Sequence, residues 1–377
     1  MRKRGFQAPG LDAPASETGA AGRLAIAGRG ANSNRASRFL AVHSALESDG
    51  WAADTDPPGP AISLATELYP DRTRRLITRN ASPDIPFDQS INAYKGCEHG
   101  CVYCFARPTH AYLDLSPGLD FETRIFYKTG VREALLAELG KPGYRCRTIA
   151  LGTNTDPYQP AEKQQRITRT ILEVLLEHGH PVSIVTKGQL VLRDLDLLAE
   201  LARRQLVSVA VSLTTLDNTL KTRLEPRAAG PAARLRMIRG LAEAGVPTAV
   251  MVAPVIPFLN DQEIEDMVAA AAGAGARRAN YILLRLPREV RALFEDWLAE
   301  HYPLRAARIM NAIRESRGGK AYDAAWGTRM RGTGVFAQLI ARRFDAAVTK
   351  HGLNDATREP LRTDLFEPPG RRQRSLF

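Results

Sequence analysis

The sequence predicts an α/β fold of repeated strand-helix units, with an irregular N-terminal leader over 1–84 and a helical, basic C-terminal extension over 291–377. Two observations predict the repeated units. From about residue 85 short β-branched runs alternate with amphipathic stretches, the pattern of strands feeding helices. The runs are continuously apolar rather than alternating, which suits a parallel sheet covered on both faces. With 377 residues, 44% of them hydrophobic, the chain carries enough apolar material for such a core.

Taken in order, residues 1–60 mix Gly, Ala, Ser, Pro and Arg without a sustained period, hence the irregular leader. Its start, Met1-Arg2-Lys3-Arg4, is charged like a signal peptide, but no apolar stretch of about 7 to 15 residues follows, so a cytoplasmic location is expected. A first strand is predicted at about 89–94 and others at 148–151, 182–186, 206–213, 248–252 and 280–284. Ile167, Ile171, Val174 and Leu175 share one helical face, and Gly179 and Pro181 stop that helix. The scheme repeats at 192–204, at 232–244 with Gly245 as stop, and at 261–272, giving six units. Periodicity alone fits both a closed eight-unit barrel and a doubly wound sheet, and both put their chemistry on loops at the carboxyl ends of the strands. After Arg285 the pattern is helical, at 289–301, 304–316 and 335–351, before a tail rich in Pro, Gly and Arg.

A mean hydropathy of −0.25 and the lack of an apolar run near ~20 residues argue against a membrane protein. Four cysteines in this length cannot staple a secreted scaffold, so their thiols have a site-specific use or none. Lys and Arg number 52 against 41 Asp and Glu, a net +11, and residues 277–377 alone carry a net +9. Arginine supplies 43 of the basic residues, which suits bidentate phosphate contacts and equally suits a solvated basic surface.

Three cysteines fall within eight residues: Cys97-Glu98-His99-Gly100-Cys101-Val102-Tyr103-Cys104. Thiolates this close on a glycine-containing loop converge on one soft metal centre, and three of them leave one corner of a four-iron cluster without a protein ligand, where substrate can bind. Zinc with His99 or His110 as a fourth ligand fits the same spacing. Cys146, alone before the next strand, reads as a core or surface thiol.

The Cys-x3-Cys-x-Tyr-Cys loop followed by strand-helix units resembles the radical S-adenosylmethionine superfamily over about residues 85–290. That resemblance implies a partial (β/α)6 TIM-type barrel and a [4Fe-4S] cluster on Cys97, Cys101 and Cys104. It also implies S-adenosyl-L-methionine held on the fourth iron and cleaved by one electron to a 5'-deoxyadenosyl radical. Within the superfamily the chain is most similar to spore photoproduct lyase-like proteins, on three segments. They are Gly152 to Tyr158 (GTNTDPY), Val185 to Gly188 (VTKG) and Val211 to Thr214 (VSLT). By motif position the resemblance assigns Asn154 and Asp156 to the amino and ribose end of the cofactor, Lys187 to its carboxylate, Ser212 to its ribose and Tyr103 to its adenine. Ordinary loop capping is the plainer reading of those polar residues. The segment Lys221 to Arg227 and the following Arg234 and Arg236 also resemble the group, without a defined role. One departure stands out: the dimer-repairing lyase donates hydrogen from a cysteine near the end of the second strand, where this chain has Gly152-Thr153. Cys146 lies about six residues earlier, near 20 Å away along a strand.

The function expected is therefore a radical enzyme acting on nucleic acid, by lyase-like repair or modification, and reduced by a flavodoxin or ferredoxin. The competing class is a nucleic-acid-binding protein with a structural Cys3His zinc. The basic C-terminal part carries Trp297, Tyr302, Tyr322, Trp326 and Phe336 among its arginines, compatible with a nucleic-acid groove or with helices packed on the barrel. The tail Gln373 to Phe377 (QRSLF) resembles the peptide by which repair and replication proteins dock on the sliding clamp, with Arg374 departing from the usual apolar residue; a disordered tail that happens to end in two hydrophobes is the plainer reading.

Overall fold

The computed structural model describes residues 28–370 except 36, 40–63, 74 and 356–359. The strands are β1 (Glu67–Asp71), β2 (Ile77–Arg79), β3 (Gln89–Ile91), β4 (Tyr94–Lys95), β5 (Arg124–Lys128), β6 (Ile149–Leu151), β7 (Val182–Thr186), β8 (Val207–Ser212), β9 (Thr248–Val255) and β10 (Arg278–Leu283). The helices are α1 (Asp120–Thr123), α2 (Val131–Leu139), α3 (Glu162–Gln165), α4 (Ile167–Glu177), α5 (Leu195–Arg203), α6 (Asn218–Leu224), α7 (Pro231–Glu243), α8 (Ile264–Gly273), α9 (Glu289–His301), α10 (Pro303–Glu315) and α11 (Gly334–Lys350).

Six strands run parallel in chain order, β3-β6-β7-β8-β9-β10, with β2 added antiparallel at the β3 edge. This is the six-unit partial barrel expected. Along its strands every second side chain is buried, Val182, Ile184 and Thr186 of β7 and Val207, Val209 and Val211 of β8, while Ser183, Val185, Ser208 and Ala210 between them are half-buried. Leu172, Val174 and Leu175 of α4 and Leu198 and Leu201 of α5 close over them from outside. α4 stops at Gly179, whose φ of +60° and closeness to the Leu365 carbonyl, 2.1 Å from where a Cβ would stand, admit glycine only.

Three features depart from the sequence reading. The 1–84 leader is not irregular throughout: Ile77–Arg79 extends the main sheet, and Glu67–Asp71 lies parallel to β5. The first predicted strand splits, because β3 ends at Ile91 while Tyr94–Lys95 turns to pair with β5 in a separate three-stranded sheet. The C-terminal helices are not an appendage. α11 buries Ala337, Ile340, Phe344 and Ala347 in the same core as α8 and β10, while α9 and α10 bury Phe294, Trp297, Ile309 and Ile313 against Cys101, Val102 and Tyr103. No helix among the described residues is long and apolar enough to cross a membrane.

Candidate functional site

The three-cysteine loop leaves β4 and is held by its backbone. The Cys97 N–H donates to the Phe121 carbonyl (2.8 Å), that of Val102 to Leu224 (3.1 Å) and that of Cys104 back to Cys101 (3.2 Å). Gln159 clamps its start, accepting from the Glu98 N–H at 3.0 Å and donating to the Gly96 carbonyl at 3.2 Å. Arg107, fully buried, donates from Nε to the Cys101 carbonyl (2.9 Å) and from Nη1 to that of Gly118 (2.8 Å), and its Nη2 pairs with the buried Glu122. The second reach of Glu122 is to the leader: its carboxylate accepts from the N–H groups of Gly30 (3.0 Å) and Ala31 (2.8 Å). Arg29 reinforces the contact through the Glu122 carbonyl at 2.8 Å. Residue 30 must be glycine, because a Cβ there would stand 1.6 Å from the Gly100 carbonyl oxygen.

The thiols suit a metal that brings its own charge. Burial pushes Cys97, Cys101 and Cys104 upward; with the Glu225 charge nearby, Cys101 reaches about 12. The fold itself does not stabilise free thiolates, so cation binding must displace their protons. Among the described residues no three His, Cys, Asp or Glu side chains gather closely enough to enclose a single ion. His99 faces Asp156 (Nδ1 to Oδ2, 3.3 Å), and His110 shares Nε2 with the Arg124 carbonyl at 3.0 Å. Each imidazole thus has one ring nitrogen engaged within the protein, and among the described residues neither joins the cysteines in a group able to hold one ion. A cluster, which spreads three thiolates over several irons, fits this donor set better.

Beside the loop a half-open cavity of about 1770 Å3 runs along the barrel, its lining including Tyr103, Asn154, Lys187 and Ser212 together with Phe105 and Gly152. Four of the five predicted cofactor residues thus share one cavity with the residues bracketing Cys104. Asp156 does not line it. Its carboxylate accepts from Thr186 Oγ1 (2.7 Å) and from the backbone N–H groups of Lys187 (2.7 Å) and Tyr158 (2.8 Å). Burial would raise its pKa, but His99 and these donors hold it at about 2. Asp156 braces the loops after β6 and β7, where sequence reasoning set it against the cofactor. Asn92, unnoticed in the sequence, does the same for Asn154, accepting from its N–H at 3.0 Å.

A buried charge network beneath the cavity also escaped the sequence reading. Glu225, following α6, pairs with Arg234 of α7 and accepts from Tyr103 Oη and from Thr214 Oγ1 (2.7 Å). Lys187 Nζ stands 4.0 Å from its Oε1 and 5.9 Å from the centre of the Tyr103 ring. Burial would raise Glu225, yet Arg234 and Lys187 keep it near 2. Burial would lower Lys187, yet the neighbouring Cys101 and Glu225 raise it. The ammonium is therefore charged, and its long separation from Glu225 leaves it able to take a second carboxylate. The signal was present in the Lys221 to Arg227 segment and Arg234, but only the fold brings them to Tyr103.

Comparison with known proteins bears on the same residues. The profile of the Radical SAM superfamily matches residues 91–271. An uncharacterized protein of Mycobacterium tuberculosis is 44% identical over 232 residues, covering 61% of this chain and 68% of that protein. An uncharacterized protein of Methanocaldococcus jannaschii is 30% identical over 176 residues, 46% of this chain and 62% of its own. Among solved structures, a spore photoproduct lyase complexed with dinucleoside spore photoproduct superposes with a TM-score of 0.55 at 15% identity, covering 76% of this chain and 80% of that one. A mutant of that lyase with bound AdoMet and the dinucleoside gives 0.54 at 16%, over 77% and 81%. At such identity the likeness is one of fold.

Proposed function

The chain belongs to the radical SAM superfamily, as an enzyme with a [4Fe-4S] cluster, S-adenosyl-L-methionine and the need for an external reductant, and from that premise we propose that it acts on nucleic acid. When bound, the cluster supplies the electron that cleaves the sulfonium of S-adenosyl-L-methionine. The observation that carries the cofactor assignment is the single cavity shared by Tyr103, Asn154, Lys187 and Ser212 beside the cysteine loop. Lys187 takes the cofactor carboxylate, Asn154 its amino end and Ser212 its ribose; Tyr103 flanks the adenine, its hydroxyl fixed by Glu225. Cys97, Cys101 and Cys104 hold the cluster. Asp156 positions Lys187 through the backbone rather than touching the cofactor.

The nucleic-acid reading is supported by the fold likeness to spore photoproduct lyase, by the +9 charge of residues 277–377 and by arginines around the cavity, Arg285 and Arg331 among them. Repair with a strand-end cysteine as hydrogen donor does not suit this chain. Gly152 has a φ of +84°, and a Cβ there would lie 1.9 Å from the Val185 carbonyl oxygen, while Thr153 Oγ1 donates to Asn92. Cys146 precedes β6, at the opposite end of that strand from Gly152, and is not among the described residues lining the cavity. The reaction is thus a different modification or lyase step. A flavodoxin or ferredoxin serves as reductant. The test is anaerobic turnover with labelled single- and double-stranded oligonucleotides, following hydrogen from substrate into 5'-deoxyadenosine. Label transfer from an oligonucleotide supports the reading, and transfer only from other compounds sinks it.

A further inference from the structure

Two residues beyond β10 the chain presents Arg285 to the cavity, next to Phe105, which directly follows the last cluster cysteine. Its guanidinium carbon lies 5.2 Å from the Phe105 ring centre and 6.0 Å from that of Tyr322. Its hydrogen bonds are long and neutral, from Nη2 to Tyr322 Oη and from Nη1 to Met330 Sδ, both at 3.4 Å. Nε is shut off from solvent and has no partner, and no carboxylate pairs with Arg285 among the described residues. The neighbouring Arg329 shows the contrast: it is fastened to Asp84 and Ser82 across the open side of the barrel, while the Met330 carbonyl accepts from the Leu283 N–H at 2.9 Å. That strap fixes Met330 and so the place of Arg285. A second cation, Arg317, is close enough that burial and the Arg285 charge together pull it down to about 10. Phe105 remains 46% exposed, so part of its ring is open to a ligand.

A cation with no counter-ion among the described residues, between aromatic rings and lining the cavity, calls for an anion. We propose that Arg285, with Phe105 and Tyr322, forms a phosphate subsite that takes one phosphodiester of the substrate strand and stacks an adjoining base on Phe105. Guanidinium and phosphate match in fork geometry, and a ring face accepts any base. This subsite rests on the nucleic-acid reading above.

The experiment measures binding of single-stranded oligonucleotides to the anaerobically reconstituted protein, comparing an all-phosphodiester strand with a series each carrying one neutral methylphosphonate linkage. In the native protein one linkage should matter most, its neutralisation weakening binding about tenfold, the worth of a charge-assisted hydrogen bond. In Arg285→Gln that linkage should lose its effect, to within about twofold, while the small effects of the others persist. A generally damaged protein would weaken on every probe alike, so the comparison is independent of folding losses. Retention of the same linkage effect in Arg285→Gln, or the lack of any sensitive linkage in the native protein, overturns the subsite. Failure of the native protein to bind any strand overturns the nucleic-acid reading itself, a distinct result.

Discussion

Cys97 and Cys101 are buried and Cys104 half-buried, and burial pushes all three thiols upward, so a metal must displace their protons and loss of any one leaves two ligands, too few to hold the proposed cluster. Cys97→Ala, Cys101→Ala and Cys104→Ala should each bring bound iron and visible absorbance close to background, whereas Cys146→Ala should keep both; iron assay and absorption spectra check this. Lys187→Ala should keep its iron and lose about tenfold or more in S-adenosyl-L-methionine affinity by calorimetry, the cost of a charge-assisted carboxylate contact. Away from the site, His180 is pH-sensitive. Burial pulls it from 6.5 to about 4, and its nitrogens sit on Tyr144 Oη (2.8 Å) and the Pro181 carbonyl (3.0 Å). Between those values the unfolded chain binds a proton that the native state refuses, so stability is complete above about pH 6.5 and declines as pH falls toward 4. One such proton contributes at most about 1.4 kcal/mol per pH unit. His180→Gln should show a shallower decline in that window by urea titration at several pH values; an identical slope would remove His180 as a cause.

At the scale of elements, six strands and most of their helices were legible because their apolar runs are local in sequence. The cysteine triad was legible for the same reason, lying within eight residues. What was not legible depends on distance. Glu122 meets Gly30 and Ala31 across more than ninety residues, so the leader read as irregular although part of it caps the cluster loop. Asp156 was assigned to the cofactor by motif position in the family resemblance, and only the folded chain shows its oxygens already engaged by Thr186, Lys187 and Tyr158. Trp297, grouped with the aromatics of a basic surface, is 1% exposed and donates to the Arg223 carbonyl beneath the cysteine loop. Two predictions belong here. Glu122→Ala strands Arg107 as an unpaired buried cation and should cost about 3–5 kcal/mol in denaturant unfolding, with faster iron loss to a chelator. Asp84→Ala unfastens the strap from Arg329 and Gly327 and should cost about 1–3 kcal/mol, with easier proteolysis around residue 330. Resistance equal to the native protein would deny the strap its fastening.

Over the whole molecule, the surplus charge and the site share one frame. Nine of the eleven net charges lie in 277–377, yet the helices there also build the wall behind the cysteine loop and the far side of the barrel core. Some arginines are spent within the fold, Arg343 on Glu265 at 2.6 Å and Arg329 on Asp84, while Arg285 faces the cavity with no counter-ion among the described residues. The clamp-like Gln373 to Phe377 lies outside the described residues and stands as a proposal, to be tested by clamp binding before and after removal of those five residues. The central claim is that the Cys97, Cys101, Cys104 loop and the adjoining cavity form one radical-generating site. Its most direct measurement is 5'-deoxyadenosine formation from S-adenosyl-L-methionine under dithionite, by anaerobically reconstituted native protein and by Cys101→Ala. A brown native protein with about four irons that forms the product, beside a colourless variant that does not, is the predicted result. A colourless protein holding stoichiometric zinc, or equal product from both, would contradict it.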